Sequence, residues 1–419
     1  MIESLINLEG EDGIQASGKD EVFGCIFGRD SAITILKILS AYKANKIDAF
    51  DPLLRMSKKT LFTLSELQGK EFNSESGEQV GKCIHEFRKD KYERLINRPK
   101  PWYVYPDGIL RNYDSIDSTP LFLIAVYKFF EATKDGNFLI KMLPSVELGL
   151  NWIISYGDMD KDYLLEYDTV EKRKFGGLVV QSWTDSHESL RRKNGEFPLY
   201  PIAPVEVQGY AWLALKLWAD YYKKAGNLVF ANKIEQFAKD LKKRFNDLFI
   251  LKDNGLHFAA QALDGAKNQI ETITANPILL LWAVYENNGL RESILEDRYV
   301  DEFVERVFQK DMFSEKAGVR TMSALSPTFN GAQNSYHNGS YWPKVNGMIY
   351  EALKKWGFNE KAIELRDASL KPIEHFKTPI ELYVTDENGS YFEFQTSWGK
   401  RGCKQQAWSA AAILDMLSS

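Results

Sequence analysis

Six short stretches of this chain concentrate carboxylates, amides and tryptophans. They are FGRDS (27–31), YDSIDSTP (113–120), QSWTDSHES (181–189) with PIAPVEVQG (201–209), TANP (274–277), YHNGSYWP (336–343) and CKQQAWS (403–409). A guanidinium donates in a planar fork, a carboxylate accepts from adjacent hydroxyls, and an indole offers a flat apolar face. Brought together, such groups would grip a polar, many-hydroxyl ligand. Paired carboxylates add proton transfer: one protonated acid for a leaving oxygen and one carboxylate to activate water, which is what glycoside hydrolysis requires. Other chemistries are poorly supplied. There is no HExxH or CxxC, and the five histidines (85, 187, 257, 337 and 375) are scattered. ASGKDE at 16–21 lacks phosphate-loop glycine spacing, and a GxSxG nucleophile turn is missing. The expectation is therefore no metal and no organic cofactor.

Each stretch immediately precedes an apolar segment. Residues 31–42, 120–130, 207–219, 277–284, 345–353 and 407–417 are apolar nearly all round, so they must be buried as helices. Between them lie amphipathic segments. In VFANKIEQFAKDLKKRFNDLF, Phe230, Ile234, Phe237, Leu241, Phe245 and Leu248 recur at steps of three or four, with charge on the other face. Residues 53–67, 139–154, 290–308 and 359–376 read the same way. Six buried and five amphipathic helices in alternation predict an all-α, (α/α)6 toroid, the first outer helix missing or reduced to 2–8. Short hairpins are expected in loops, for example at YLLEY and LHFAA. With no Gly/Ser/Pro linker, residues 1–419 are read as one domain. In a toroid the inner helices run the same way, so their leading loops meet at one end. That rim would hold Arg29, Asp30, Asp114, Asp117, Trp183, Asp185, Glu206, Gln208, His337, Asn338, Trp342 and Gln406. Singly, Asp30, Asp117 and Thr274 read as helix caps, the tryptophans as core and His337 as structural; the joint pattern is what points to a site.

Composition narrows the partners. The net charge is -5 with no basic stripe, so no nucleic acid is expected. The apolar runs fall short of the roughly 18 residues of a membrane span, and no signal peptide is evident. Three widely spaced cysteines make neither a disulfide framework nor a zinc site, which suits a cytoplasmic protein. The expected partner is a small-molecule or oligosaccharide substrate; oligomeric state stays open. A sugar epimerase or isomerase, and a non-catalytic carbohydrate-binding protein, are the alternatives of other classes.

Nine motifs in order, GRDS, DSIDSTPLFLIA, GGLVVQSWTDSHES, PIAPVEVQGYAWLAL, TANPILLLW, GVRTMSA, YHNGSYWPKVNGMI, PIELY and QQAWSAAAI, resemble the amylo-α-1,6-glucosidase domain of glycogen debranching enzymes. More distantly they are similar to processing α-glucosidases, mannosylglycerate hydrolases and glucoamylases of the same six-hairpin clan. The resemblance implies an inverting, exo-acting α-glucosidase. By residue-to-residue matching it implies Asp185 as general acid and Glu381, in TPIELY, as general base, with Glu393 a rival base. It implies that Arg29 and Asp30 grip the terminal sugar, and that Asp117, Trp183, Gln208, His337, Asn338 and Trp342 line the pocket. The substrate would be a glucan branch or a short α-glucoside. The N-terminal β-sandwich usual in these enzymes is not part of this sequence, which makes a small α-glycosyl compound such as mannosylglycerate or glucosylglycerate the alternative. Inversion needs room for a water, so the two carboxyls should stand about 6.5–9.5 Å apart.

Overall fold

The computed structural model describes residues 1–287 and 289–418. Among them are twelve α-helices: α1 (Ile2–Ile6), α2 (Gly28–Ala44), α3 (Asp51–Glu66), α4 (Glu93–Ile96), α5 (Ser118–Thr133), α6 (Gly136–Trp152), α7 (Val205–Lys224), α8 (Leu228–Leu248), α9 (Val300–Val307), α10 (Pro343–Trp356), α11 (Asn359–Phe376) and α12 (Ala407–Ser418). Helix α2 packs on α5, α5 on α7, α7 on a 3-10 turn at Pro277–Leu281, that turn on α10, α10 on α12, and α12 back on α2. Six elements thus close an inner ring. Around it, α3 backs α2, α6 backs α5, α8 backs α7, α9 backs the 3-10 turn and α11 backs α10. The last outer position goes to α1, the first helix of the chain, which packs on α12, the last.

The sequence explains the two rings. Ile33, Ile35, Leu36, Ile38 and Leu39 of α2 are all buried because an inner helix has neighbours on every side. In α8 only one stripe is buried, Ile234, Phe237, Leu241 and Phe245 among it. Two glycines permit close approach. A Cβ on Gly28 would lie 2.0 Å from the carbonyl oxygen of Ile84, and one on Gly347 would lie 2.6 Å from the Cβ of Ala412, where α10 meets α12. Strand Ile26–Phe27 pairs with Glu86–Arg88, which pairs with Leu110–Asn112, so this small sheet leads straight into α2.

The fourth hairpin departs from expectation. Of 277–284, only Pro277–Leu281 is helical, as a 3-10 turn rather than a full helix. Of 290–308, only α9 and a 3-10 turn at Asp297–Tyr299 are helical, and Leu290–Glu292 is a strand paired with Tyr285–Asn287. The Asn-Gly preceding Leu290 is a hairpin-turn signal, and Gly289 takes φ +80°; the apolar periodicity around it masked that signal. YLLEY forms only an isolated bridge, Tyr167 to Ile202, whereas Leu256–Ala259 does form a hairpin with Ile250–Asp253. Gly136–Gly157 is long and apolar enough to cross a membrane, contrary to the sequence reading. A few scattered charges hid this, and in the fold it packs against α5 as an outer helix.

After that helix, Asp158, Asp160 and Asp162 converge closely enough to hold a metal ion, a grouping the sequence reading did not single out. Lys267 reaches into the group, 2.8 Å from Asp160 and 3.0 Å from Asp162, and also pairs with buried Glu166. Burial pushes Glu166 up to about 7 against the pull of Lys267. Replacing Lys267 by Met leaves these acids facing one another. Chemical denaturation should then show a loss on the order of 3 kcal/mol at neutral pH. An unchanged midpoint would show that the ammonium does not hold this loop.

Candidate active site

The opening pair of α2 meets the start of α5. Arg29 is buried, and its Nε donates to Asp117 Oδ2 at 2.7 Å while Nη1 donates to Asp185 Oδ2 at 3.2 Å. Asp117 occupies the N-cap position of α5 but makes no side-chain cap bond there. It accepts instead from Arg29 and from Ser115 Oγ at 2.5 Å. Asp30, one residue on, accepts from Gln406 Nε2 at 3.3 Å, which joins α2 to the loop before α12. Burial pushes Asp30 up to about 7, opposed by Arg29 and reinforced by Asp185 and Glu381.

Asp185 and Glu381 come from loops far apart in sequence and act on the same groups. Both add to the negative field on Asp30 and on Tyr336, and the charge of Lys400 reaches both. Asp185 is the more open, its side chain 28% exposed. Burial raises its proton affinity, and the neighbouring Arg29 lowers it less. Glu381 is buried, held by the hydroxyl of Tyr336 on Oε1 and by the backbone N–H of Cys403 on Oε2 at 2.7 Å. Desolvation takes it up to about 6 even though both donors favour the charged form. Glu393 ends strand Tyr391–Glu393, half-exposed and 3.8 Å from Lys404.

Aromatic rings pave the floor. Trp183 meets His337 and Trp342 edge-on at 5.5 and 5.7 Å, and His337 stacks on Trp342 at 5.1 Å. Trp342 Nε1 donates to the Tyr336 carbonyl at 3.0 Å. Burial and the nearby cations push His337 well below its usual value, so it is neutral, with Nδ1 on Ser186 Oγ at 2.8 Å. Asn338 donates to the carbonyls of Glu188 and Thr328.

Gln208 does different work. Its amide closes a pair of bonds with the backbone of Leu165, 2.9 and 2.8 Å, and donates again to Pro204 O. It clamps a loop to α7. Asp114, also placed on the rim, takes Arg173 at 2.7 Å and the N–H of Leu178, again as a loop clamp.

Three groups were not picked out as site residues. Tyr336 and Lys400 are two of them; Lys400 Nζ stands 4.4 Å over the Tyr336 ring. The third, Lys344, is completely buried in the first turn of α10, its Nζ 3.7 Å over the Trp183 ring and 4.9 Å over Trp408. Burial, with Arg29 adding to it, lowers its pKa to about 7 despite Asp117, Asp30 and Glu206. Glu206 itself is pushed up to about 7 by burial. A lysine after Trp-Pro in an apolar helix reads in sequence as one reaching out to solvent, which is why this one passed unnoticed.

Arg29 Nη2, Trp183 Nε1, Lys344 Nζ, Glu206 Oε1, Asn338 Oδ1, Gln406 Oε1 and Trp408 Nε1 are all buried without a hydrogen-bond partner among the described residues. Buried polar atoms are otherwise nearly always paired. Open donors and acceptors beside aromatic rings and two carboxyls of raised proton affinity suit a ligand rich in hydroxyls.

Residues 63–415 match the family model described as amylo-alpha-1,6-glucosidase. No curated protein matches the sequence. Among solved structures, the GH63 mannosylglycerate hydrolase from Thermus thermophilus in complex with Tris is similar at TM-score 0.64 and 14% identity, over 100% of this chain and 98% of that one. Its complex with glucose gives TM-score 0.65 at 16% identity, covering 99% and 98%. Its complex with Tris and D-glycerate gives 0.63 at 15%, again over 99% and 98%. At these identities the likeness establishes the fold, the (α/α)6 toroid of six-hairpin glycosidases.

Proposed function

The chain belongs to the amylo-alpha-1,6-glucosidase family of glycoside hydrolases, and from that premise we propose an inverting, exo-acting α-glucosidase cleaving a glucan branch or a short α-glucoside. Asp185 donates its proton to the glycosidic oxygen. Glu381 takes a proton from the water that attacks the anomeric carbon from the other side. Arg29 and Asp30 grip the terminal sugar, and Asp117 holds Arg29 in place. Trp183, His337 and Trp342 form the floor, with Asn338 beside them. What supports this reading is a pair of carboxyls with raised proton affinity, both acting on Asp30 and Tyr336, among buried polar atoms without partners. Residues 1–419 are proposed as one catalytic domain, in the cytoplasm, where the three free thiols are at home.

A second reading, hydrolysis of mannosylglycerate or glucosylglycerate, draws support from Lys400. It is exposed and has no ion-pair partner among the described residues. Its charge is felt by both carboxyls, which suits an anionic leaving group. The deciding experiment offers isomaltose, panose, limit dextrin, glucosylglycerate and mannosylglycerate, and follows the first-formed anomer by NMR. An α-glucoside should release the β-anomer; release of the α-anomer would overturn inversion.

The pH profile tests the base. Glu381 must be ionised to accept a proton, so kcat/KM should climb as pH rises through about 6. The Tyr336 hydroxyl stabilises the ionised form. Tyr336→Phe should therefore move this acid limb upward, by about one pH unit. A limb that stays put or moves down would remove Glu381 from that role.

A further inference from the structure

At the opposite end of the ring from the crater lies a cavity of about 610 Å³, a size typical of small-molecule sites. Its wall is apolar: Leu36 and Leu39 of α2, Ile124 of α5, Leu213 of α7, and Trp282 after the 3-10 turn. Leu39 stands about 15 Å along α2 from Arg29, at 1.5 Å per residue, so this space is separate from the sugar site.

The floor is electrically closed. Lys37 is buried and donates to Glu351 at 2.5 Å, Asp415 at 2.9 Å and Gly347 O at 2.8 Å. Glu351 also takes Lys355 at 2.8 Å and the indole N–H of Trp282 at 2.7 Å, and this company holds its carboxyl well below the usual range. The mouth is different. Lys43, Lys46, Lys134 and Lys354 line it and are exposed, and none has an ion-pair partner among the described residues. Glu286 and Glu131 are the acids nearby, and Glu131 is taken by Lys128. Helices α2, α5, α10 and α12 end here, each returning roughly half a negative charge. Four ammonium groups exceed that together with Glu286. A protein of net charge -5 thus keeps a positive rim around an apolar hole.

We propose that this cavity is a second binding site, for a single-chain amphipathic anion. Its alkyl chain lies against Leu36, Leu39, Ile124 and Trp282, and its head group sits among the rim lysines. Solvent alone is a poor filling for such a wall. A neutral chain would leave the ammonium groups unanswered, and a bare anion would leave the wall wet.

Calorimetric titration of the full chain tests this with octyl phosphate, octanoate, octanol, octyltrimethylammonium and inorganic phosphate. Octyl phosphate and octanoate should bind saturably, one per chain. Octanol, inorganic phosphate and the cationic amphiphile should bind at least tenfold more weakly. Octyl phosphate should not compete with an α-glucoside for the crater. The exposed double variant Lys134→Glu/Lys354→Glu should weaken binding tenfold or more, while Lys243→Glu on the outer helix α8 should not. Equal binding of octyltrimethylammonium, competition with the glucoside, or equal effects of the two sets of variants would each overturn the proposal, as would no binding of octyl phosphate.

Discussion

Asp185→Asn should lower kcat/KM on an α-glucoside with a sugar leaving group by 10²- to 10⁴-fold, with the thermal midpoint unchanged. Asn keeps the shape of Asp and still offers an oxygen to Arg29 Nη1, 3.2 Å away in the parent. What it loses is the proton. In the parent, burial raises the proton affinity of Asp185 and Arg29 pulls it back. Such a balance lets a part-exposed carboxyl donate and then recover its proton from solvent. A second substrate separates acid catalysis from damage to the pocket. α-Glucosyl fluoride needs little protonation of its leaving group, so the deficit of Asp185→Asn should shrink at least tenfold with it. If the variant is equally slow on both substrates, Asp185 is positioning something rather than donating.

The closed ring was legible because burial on all sides leaves a plain mark: α2, α5, α7 and α12 are apolar on every face and could only be inner helices. The clustering of polar residues just before them marked the candidate site. What failed was local. Around 277–308, apolar content was read as two helices although an Asn-Gly pair interrupts it, and the chain resolves there into 3-10 turns, a hairpin and the short α9. Side-chain duty was less legible than position. Gln208 stands at an inner helix start like the others, yet its amide is occupied by Leu165; only coordinates reveal which acceptor an amide finds. Trp183, His337 and Trp342 were expected to line a pocket and are buried and packed on one another rather than standing as free platforms. Tyr336 and Lys344 could be weighed only once their neighbours were known, because a phenol against a carboxyl or an ammonium over an indole leaves no mark of spacing in the sequence.

Glu381→Gln should cost as much as Asp185→Asn on a glucoside, 10²- to 10⁴-fold, but with the opposite substrate dependence. A water must still be deprotonated whatever the leaving group, so α-glucosyl fluoride should bring no relief. Gln keeps the acceptor that the Tyr336 hydroxyl and the Cys403 N–H address with one oxygen, yet it places an amide where the second donor points. A modest loss of stability is therefore expected alongside. Any such loss can be separated from the chemistry by assaying well below the variant's midpoint. Glu393→Gln serves as the matched control. That side chain is half-exposed at a strand end, and Lys404 is its ion-pair partner among the described residues. Its variant should stay within about twofold of the parent. Should Glu393→Gln be the slow one on both substrates while Glu381→Gln turns over normally, the attacking water is activated from the hairpin Tyr383–Thr385 and Tyr391–Glu393 instead of from the buried loop before it, and the pH limb near 6 has another owner.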